Sequence, residues 1–251
     1  MKNYFASAFL LMGLLSLAGC QYFEELEWKG LKKNGCLLVQ KDGTTIEYAH
    51  NGQLTKAGGL TFEYSKGRLS KIKVDAQNAY FDVVLDSRDN IISTTLYQLD
   101  GSAYQQRGNS TSMYDALNRL VKYESHSIFG DAYWRFEYNA AGNVAKVFSR
   151  RSPSHPEQLY LEPQTYDAKR SPWYAHRLLR WLAATGLLQG NQNSFAYGVN
   201  SVTFHNFYSV IDPNPKATPV THSYVYNAKG YPTQETWNTG EVYIYAYRCQ
   251  K

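Results

Sequence analysis

Five times along this chain an apolar or aromatic residue and a tyrosine, in four cases with a spacer between them, run into a short polar turn. The segments are Ile46-Glu47-Tyr48 to Gly52, Phe62-Glu63-Tyr64 to Gly67, Met113-Tyr114-Asp115 to Asn118, Phe136-Glu137-Tyr138-Asn139 to Gly142 and Tyr224-Val225-Tyr226-Asn227 to Gly230. A degenerate copy, Val83-Val84-Leu85-Asp86 to Asn90, lacks the tyrosine. Residues two apart share a face of a strand, so Phe136 and Tyr138 point one way and Glu137 the other. Asn139 and Gly142 tolerate positive φ and suit a hairpin turn of three to five residues, after which Val144, Val147 and Phe148 start the return strand. A chain built of such units folds as consecutive antiparallel hairpins.

Asp42-Gly43, Asp100-Gly101, Gly130-Asp131 and Asn238-Thr239-Gly240 add further turn signals. The final hairpin ends in Tyr243, Tyr245 and Tyr247 on one face, opposite Val242, Ile244 and Ala246. The fold class expected is therefore mainly β, an up-and-down antiparallel meander forming a curved sheet or a soluble barrel or half-barrel. The 22 tyrosines, 11 phenylalanines and 5 tryptophans suit pleated, half-buried surfaces. Sugar-stacking faces are the other use for so many rings, though the structural repeat accounts for them first. One segment breaks the pattern. Ser171 as N-cap, Pro172 at the first helical position, the run from Trp173 to Thr185 and Gly186 as C-terminal cap predict one helix over 172–185.

The N-terminus reads as an export signal. Lys2 precedes an apolar run from Tyr4 to Leu17, and Leu17-Ala18-Gly19-Cys20 resembles the lipobox of a bacterial lipoprotein precursor. The expected organisation is a signal peptide over 1–19, a lipidated tether over 20–30 that carries acyl chains on Cys20, and one β domain over 31–251. An uncleaved anchor is the alternative. Gln21 is not the aspartate that commonly retains lipoproteins in an inner membrane, so an outer-membrane lipoprotein is expected, facing periplasm or cell surface. The formal net charge of +5 falls to about +4 once Lys2 is removed. No Lys/Arg stripe accompanies it, and nucleic acid is not an expected partner. Of the remaining cysteines, Cys36 and Cys249 lie near the two ends of the domain. In an oxidising compartment they form either a disulfide that makes the first and last strands neighbours, or two buried thiols.

Phe136-Glu137-Tyr138-Asn139-Ala140-Ala141-Gly142-Asn143-Val144 and Tyr224-Val225-Tyr226-Asn227-Ala228-Lys229-Gly230-Tyr231-Pro232 resemble YD repeats of the Rhs type. The order of features is similar to a family of Gram-negative lipoproteins of unknown function. Asp167-x-x-x-Ser171-Pro172-Trp173-Tyr174 comes first, then Asn200-Ser201-Val202-Thr203, and Tyr245-Ala246-Tyr247-Arg248-Cys249 ends the chain. That resemblance implies a curved, porin-like antiparallel sheet with no assigned activity. A membrane pore is not expected, because Glu63, Lys71, Arg135 and Glu137 occupy the face that lipid would require to be aliphatic.

Catalytic motifs are missing from the sequence. The six histidines, His50, His126, His155, His176, His205 and His222, show no metal-ligand spacing, and no nucleophile elbow or phosphate-binding glycine loop occurs. No cofactor or metal is expected. Glu47, Glu63 and Glu137 recur at one repeat position, which marks register more readily than a catalytic pair. Trp173, Tyr174 and His176 form the most site-like cluster, either binding a ligand such as a sugar or plugging the sheet with His176 at the rim. The expected function is a non-enzymatic, lipid-anchored envelope protein that binds a glycan or an envelope partner. A carbohydrate-active hydrolase using barrel carboxylates and a lipocalin-like carrier are the alternatives.

Overall fold

The structure is a computed structural model that describes residues 35–128, 130–150, 152–188, 196, 198–212 and 214–249. The signal, Cys20 and most of the tether lie outside the described residues. Sixteen antiparallel strands close into a barrel in which every strand pairs with its neighbours in sequence and β1 (Cys36–Lys41) pairs with β16 (Val242–Cys249). The meander expected from the turns is thus present, and the sheet closes completely.

The repeat units form the even-to-odd hairpins. These join β2 (Thr44–Tyr48) to β3 (Leu54–Ala57), β4 (Leu60–Ser65) to β5 (Arg68–Val74), and β6 (Ala79–Leu85) to β7 (Ile91–Asp100). They continue with β8 (Ala103–Tyr114) and β9 (Leu120–Ser127), and with β10 (Gly130–Tyr138) and β11 (Val144–Ser149). After β12 (Gln158–Arg170) and β13 (Asn200–Phe207), the last unit joins β14 (Thr218–Tyr226) to β15 (Pro232–Trp237).

Each unit has the same local build. A register shift falls immediately before the repeat position, at Glu47/Tyr48, Glu63/Tyr64, Val84/Leu85, Met113/Tyr114, Glu137/Tyr138 and Val225/Tyr226. The extra residue turns the side chain at that position without ending the hairpin. In four units an Asp or Asn closes the turn with its own side chain. Asp86, Asp115, Asn139 and Asn227 accept through Oδ1 from the amide four residues on, at 2.9–3.0 Å. A residue with positive φ completes the turn, Gly142 at 83° and Gly230 at 76°, which an Asn or Asp can also supply, as Asn118 does at 60°. The Leu85 hairpin keeps this turn although it lacks the tyrosine.

All the repeat turns lie at one end of the barrel, because every even strand runs toward it. Cys36 and Cys249 sit at the same end, paired in register and joined by a disulfide. So does the long connection from β12 to β13, which carries the helix α1 (Arg177–Thr185). The helix starts five residues later than expected. Pro172 to Ala175 form a turn instead, with the Trp173 amide 3.4 Å from Ser171 Oγ, and His176 is the N-cap. Gly186 ends α1 as expected, with φ 78° and its N–H donated to the Ala183 carbonyl. The Gly130-Asp131 expectation needs a second correction. Gly130 opposes Ser127, so both residues belong to β10 and the turn precedes them.

The core fills the barrel. Trp173, Leu179, Trp181, Leu182, Ala183 and Ala184 are buried against wall residues such as Leu54, Ile72, Leu120 and Val144. Trp181 Nε1 donates to Ser112 Oγ at 3.1 Å, and its ring stands edge-on to Tyr123. The tyrosines of β16 point inward and Val242 and Ile244 outward, as the alternation requires.

Candidate functional site

Between hairpins the ladder stops short of the turn end, and at six of these seams a tyrosine hydroxyl closes the gap. Tyr48 donates to the Leu38 carbonyl at 2.9 Å, Tyr64 to Leu54 at 2.9 Å and Tyr114 to Ile91 at 3.0 Å. Tyr138 donates to Leu120 at 2.7 Å, Tyr166 to Val144, and Tyr224 to Val202 at 2.7 Å. The positions correspond from seam to seam. In five of these six the tyrosine lies three residues past the last ladder pair of its strand, and the carbonyl lies two residues before that pair on the neighbouring strand.

The β5–β6 seam departs from this rule. Its last pair is Lys71 with Asp82, which puts Leu85 where the tyrosine belongs and Leu69 where the carbonyl belongs. Arg68 spans the opening at the rim, donating to Asp89 Oδ1 at 2.7 Å and to the Asp86 carbonyl. Behind it lies a cavity of about 420 Å³, walled by Leu69, Leu85, Tyr64, Tyr114 and Asn90 of the barrel and by His176, Arg177, Leu178, Arg180 and Trp181 of the helix segment. The size is that of a small-molecule pocket.

The cavity's electrostatics follow from those residues. The first turn of α1 has no acidic residue and no side-chain cap, so its free amides carry partial positive charge toward the cavity. Arg68, Arg177 and Arg180 add guanidinium groups, of which Arg177 holds the Arg88 carbonyl. Burial pushes His176 down to about 4, and its ring also bonds the Gly52 backbone. Its Nδ1 is buried without a hydrogen-bond partner, as is Oδ1 of Asn90, a residue only 2% exposed. The Asn90 amide nitrogen is held by Asp86 Oδ2 and Asn118 Oδ1.

Of the residues expected to form a site, His176 alone lines this cavity. Trp173 is buried edge-on to Tyr245, and Tyr174 lies beneath the Arg170 guanidinium, so neither is placed to meet the same ligand. Asn90, Arg68 and Arg180 are the residues that sequence reasoning missed. The missing tyrosine at Leu85 was their only signal.

A second polar cluster lies inside the wall. His205 Nδ1 and His222 Nε2 share a 2.9 Å hydrogen bond, and Glu235 Oε1 accepts from His222 Nδ1 at 2.8 Å. Trp237 Nε1 and the Tyr245 and Tyr224 hydroxyls also donate to Glu235. Despite burial, these donors hold the Glu235 carboxyl below the usual range. Desolvation, with His222 alongside, pushes His205 down to about 3. All three residues are at most 7% exposed, so the cluster braces the wall and presents no open face. Among the described residues no group of histidine, cysteine and carboxylate side chains is arranged to hold a metal.

Glu47 and Glu137 are exposed and Glu63 half-exposed, each on a different strand of the outer wall. Their recurrence is that of the repeat's outward face. Glu63 pairs with Lys73, and Arg135 bridges Glu137 and Glu157 at 2.7 Å each.

No family model matches the chain, and no curated protein matches it. Solved structures do. A porin-like protein from Bacteroides uniformis aligns with 86% of this chain and 96% of its own, with a TM-score of 0.53 at 13% identity. A porin-like protein from Bacteroides vulgatus aligns with 85% of this chain and 99% of its own, with a TM-score of 0.53 at 9% identity. At these identities the likeness establishes a shared barrel fold.

Proposed function

We propose that this chain is a lipid-anchored cell-envelope protein acting as a non-enzymatic binding module. Acyl chains on Cys20 hold it at the outer membrane, and the tyrosine-turn end of the barrel receives a glycan or an envelope partner. The observation that carries this reading is the helix segment packed into the barrel, with a cavity of about 420 Å³ beside it at the tyrosine-turn mouth.

The outer wall supports attachment by lipid in preference to insertion. Glu63, Lys71 and Asp82 stand in register across β4, β5 and β6, and Lys122, Glu124 and Arg150 form a second charged group. A Lys or Arg on the lipid face costs roughly 2–4 kcal/mol at the midplane of a bilayer, and an Asp or Glu less. The Cys36–Cys249 bridge fits an oxidising, exported location. Glu47, Glu63 and Glu137 stand apart on the outside, which removes the carboxylates on which the hydrolase alternative relied. Among the described residues, the helix segment and its tryptophans occupy the interior where a lipocalin-like chamber would lie.

Two measurements test this together. Palmitate labelling and membrane fractionation should both depend on Cys20, with Cys20→Ser releasing the domain. Purified protein added to planar bilayers should give no conductance steps. Stable channels, or a membrane-bound Cys20→Ser chain, would overturn the proposal.

A further inference from the structure

We infer that the cavity at the β5–β6 seam is a binding site for a sugar acid, a ligand with a carboxylate and hydroxyl groups on one small ring. The inference rests on the binding-module reading and names the ligand class for it.

The wall supplies the first argument. Elsewhere a tyrosine ring fills the gap at the turn end, and here Leu85 leaves that space open. The backbone does not differ, because the Leu85 hairpin keeps the bulge and the turn of the other units. The opening is therefore a local change of side chain in an otherwise repeated wall.

Charge supplies the second. An uncapped helix start with no acid in its first turn, flanked by Arg177 and Arg180, attracts an anion. Arg68 lies on the opposite side, where Asp89 already engages it. Guanidinium groups around a small pocket suit a carboxylate, which they bind through paired N–H groups.

The third argument separates a sugar acid from a bare anion. Asn90 Oδ1 and His176 Nδ1 are buried acceptors without partners in the lining. A buried acceptor left unmade is costly, and a ligand hydroxyl satisfies it. Phosphate at neutral pH offers few such donors and would leave much of 420 Å³ unfilled. The rings of Tyr64, Tyr114 and Trp181, together with Leu69 and Leu85, give the apolar face of a pyranose a surface to lie against.

The test is calorimetric titration of the full chain in detergent with D-glucuronate, D-glucose and inorganic phosphate. Glucuronate should bind at least tenfold more tightly than either of the others. Leu85→Tyr, which restores the missing ring, should abolish glucuronate binding and raise the melting temperature. Arg180→Met should weaken glucuronate at least tenfold without changing the fold. An oligosaccharide ending in glucuronate will compete if the source is a glycan end, and the free acid alone will bind if it is not. Phosphate binding as tightly as glucuronate, or unchanged glucuronate affinity in both variants, overturns the inference. A chain that ignores glucuronate but retains a neutral glycan loses the sugar-acid site and keeps the binding-module reading. A chain that retains no ligand at all loses both.

Discussion

Tyr64 donates its hydroxyl to the carbonyl of Leu54 at 2.9 Å, and Leu54 is itself the register partner of Tyr48. The Tyr64 repeat is thereby tied to the one before it through the first residue of a return strand. The same link passes from Tyr114 to Tyr138 through Leu120, and from Tyr138 to Tyr166 through Val144. Burial raises the pKa of Tyr48, Tyr64 and Tyr166, Tyr64 to about 12, because the phenolate would be desolvated.

Removing one of these hydroxyls leaves a carbonyl at a splayed seam without its donor. Tyr64→Phe and Tyr138→Phe should each cost about 1–3 kcal/mol in urea unfolding. Tyr247 is the internal control. It occupies the corresponding place on β16, three residues past Ile244, but its buried hydroxyl has no partner. Tyr247→Phe should be neutral or slightly stabilising. Equal losses in all three variants would show that ring packing, not the hydroxyl, closes the seams.

The disulfide joins residues 213 apart. Chain entropy assigns such a closure on the order of 4–5 kcal/mol. Cys36→Ser with Cys249→Ser should lower unfolding stability by that order, and reductant should reproduce the loss in the parent chain. The β1–β16 ladder remains, so the variant should keep its β-sheet circular dichroism at low temperature.

Glu235 is a buried carboxylate with four donors, and losing it strands His222 Nδ1, Trp237 Nε1 and the Tyr245 hydroxyl, while Tyr224 keeps the Val202 carbonyl. Glu235→Ala should cost about 3–5 kcal/mol, the usual result of breaking a buried pair from one side. Equilibrium urea denaturation reads this directly. A loss below 1 kcal/mol would mean that the cluster does not brace the wall.

Stability should peak between the histidine and tyrosine ranges. His205 is held down to about 3 and His176 to about 4 in the folded chain, against an unfolded value near 6.5. The unfolded chain therefore takes up more protons as pH falls below about 6.5, and stability drops toward pH 3 by up to about 1.4 kcal/mol per unit for each such group. The depressed Glu235 carboxyl adds to the loss at the acid end. Tyr64 and Tyr133 are pushed up to about 12, so the folded chain keeps phenolic protons that the unfolded chain releases above pH 10. Stability should fall again from pH 10 toward 12. A flat profile of melting temperature between pH 4 and 7 would count against the buried histidines as described.

The barrel was legible in the sequence because its instructions are local. The tyrosine, the turn and the aliphatic that follows lie within seven residues, and each fixes a hairpin's register. Closure was legible only through Cys36 and Cys249, since no local pattern states where a meander ends. The helix start was misplaced because Ser171 and Pro172 suit a tight turn as well as a helix, and burial of Trp173 in the core favours the turn. The cavity was the hardest to read. Asn90, Arg68, Arg180 and His176 come from two hairpins and a distant connection, and nothing in their spacing links them. His205, His222 and Glu235 are similarly brought together by three neighbouring strands, where a histidine count alone shows only scatter.

The seams have a consequence for how such a barrel can diversify. A wall held at most of its seams by one phenol can gain a hollow by a change at a single codon, with backbone, turn and neighbouring repeats left as they were. Leu85 marks one such vacancy. Every other repeat tyrosine marks a position where a relative could place its own chamber around the same rim, so that ligand preference could move from repeat to repeat while the scaffold stays constant.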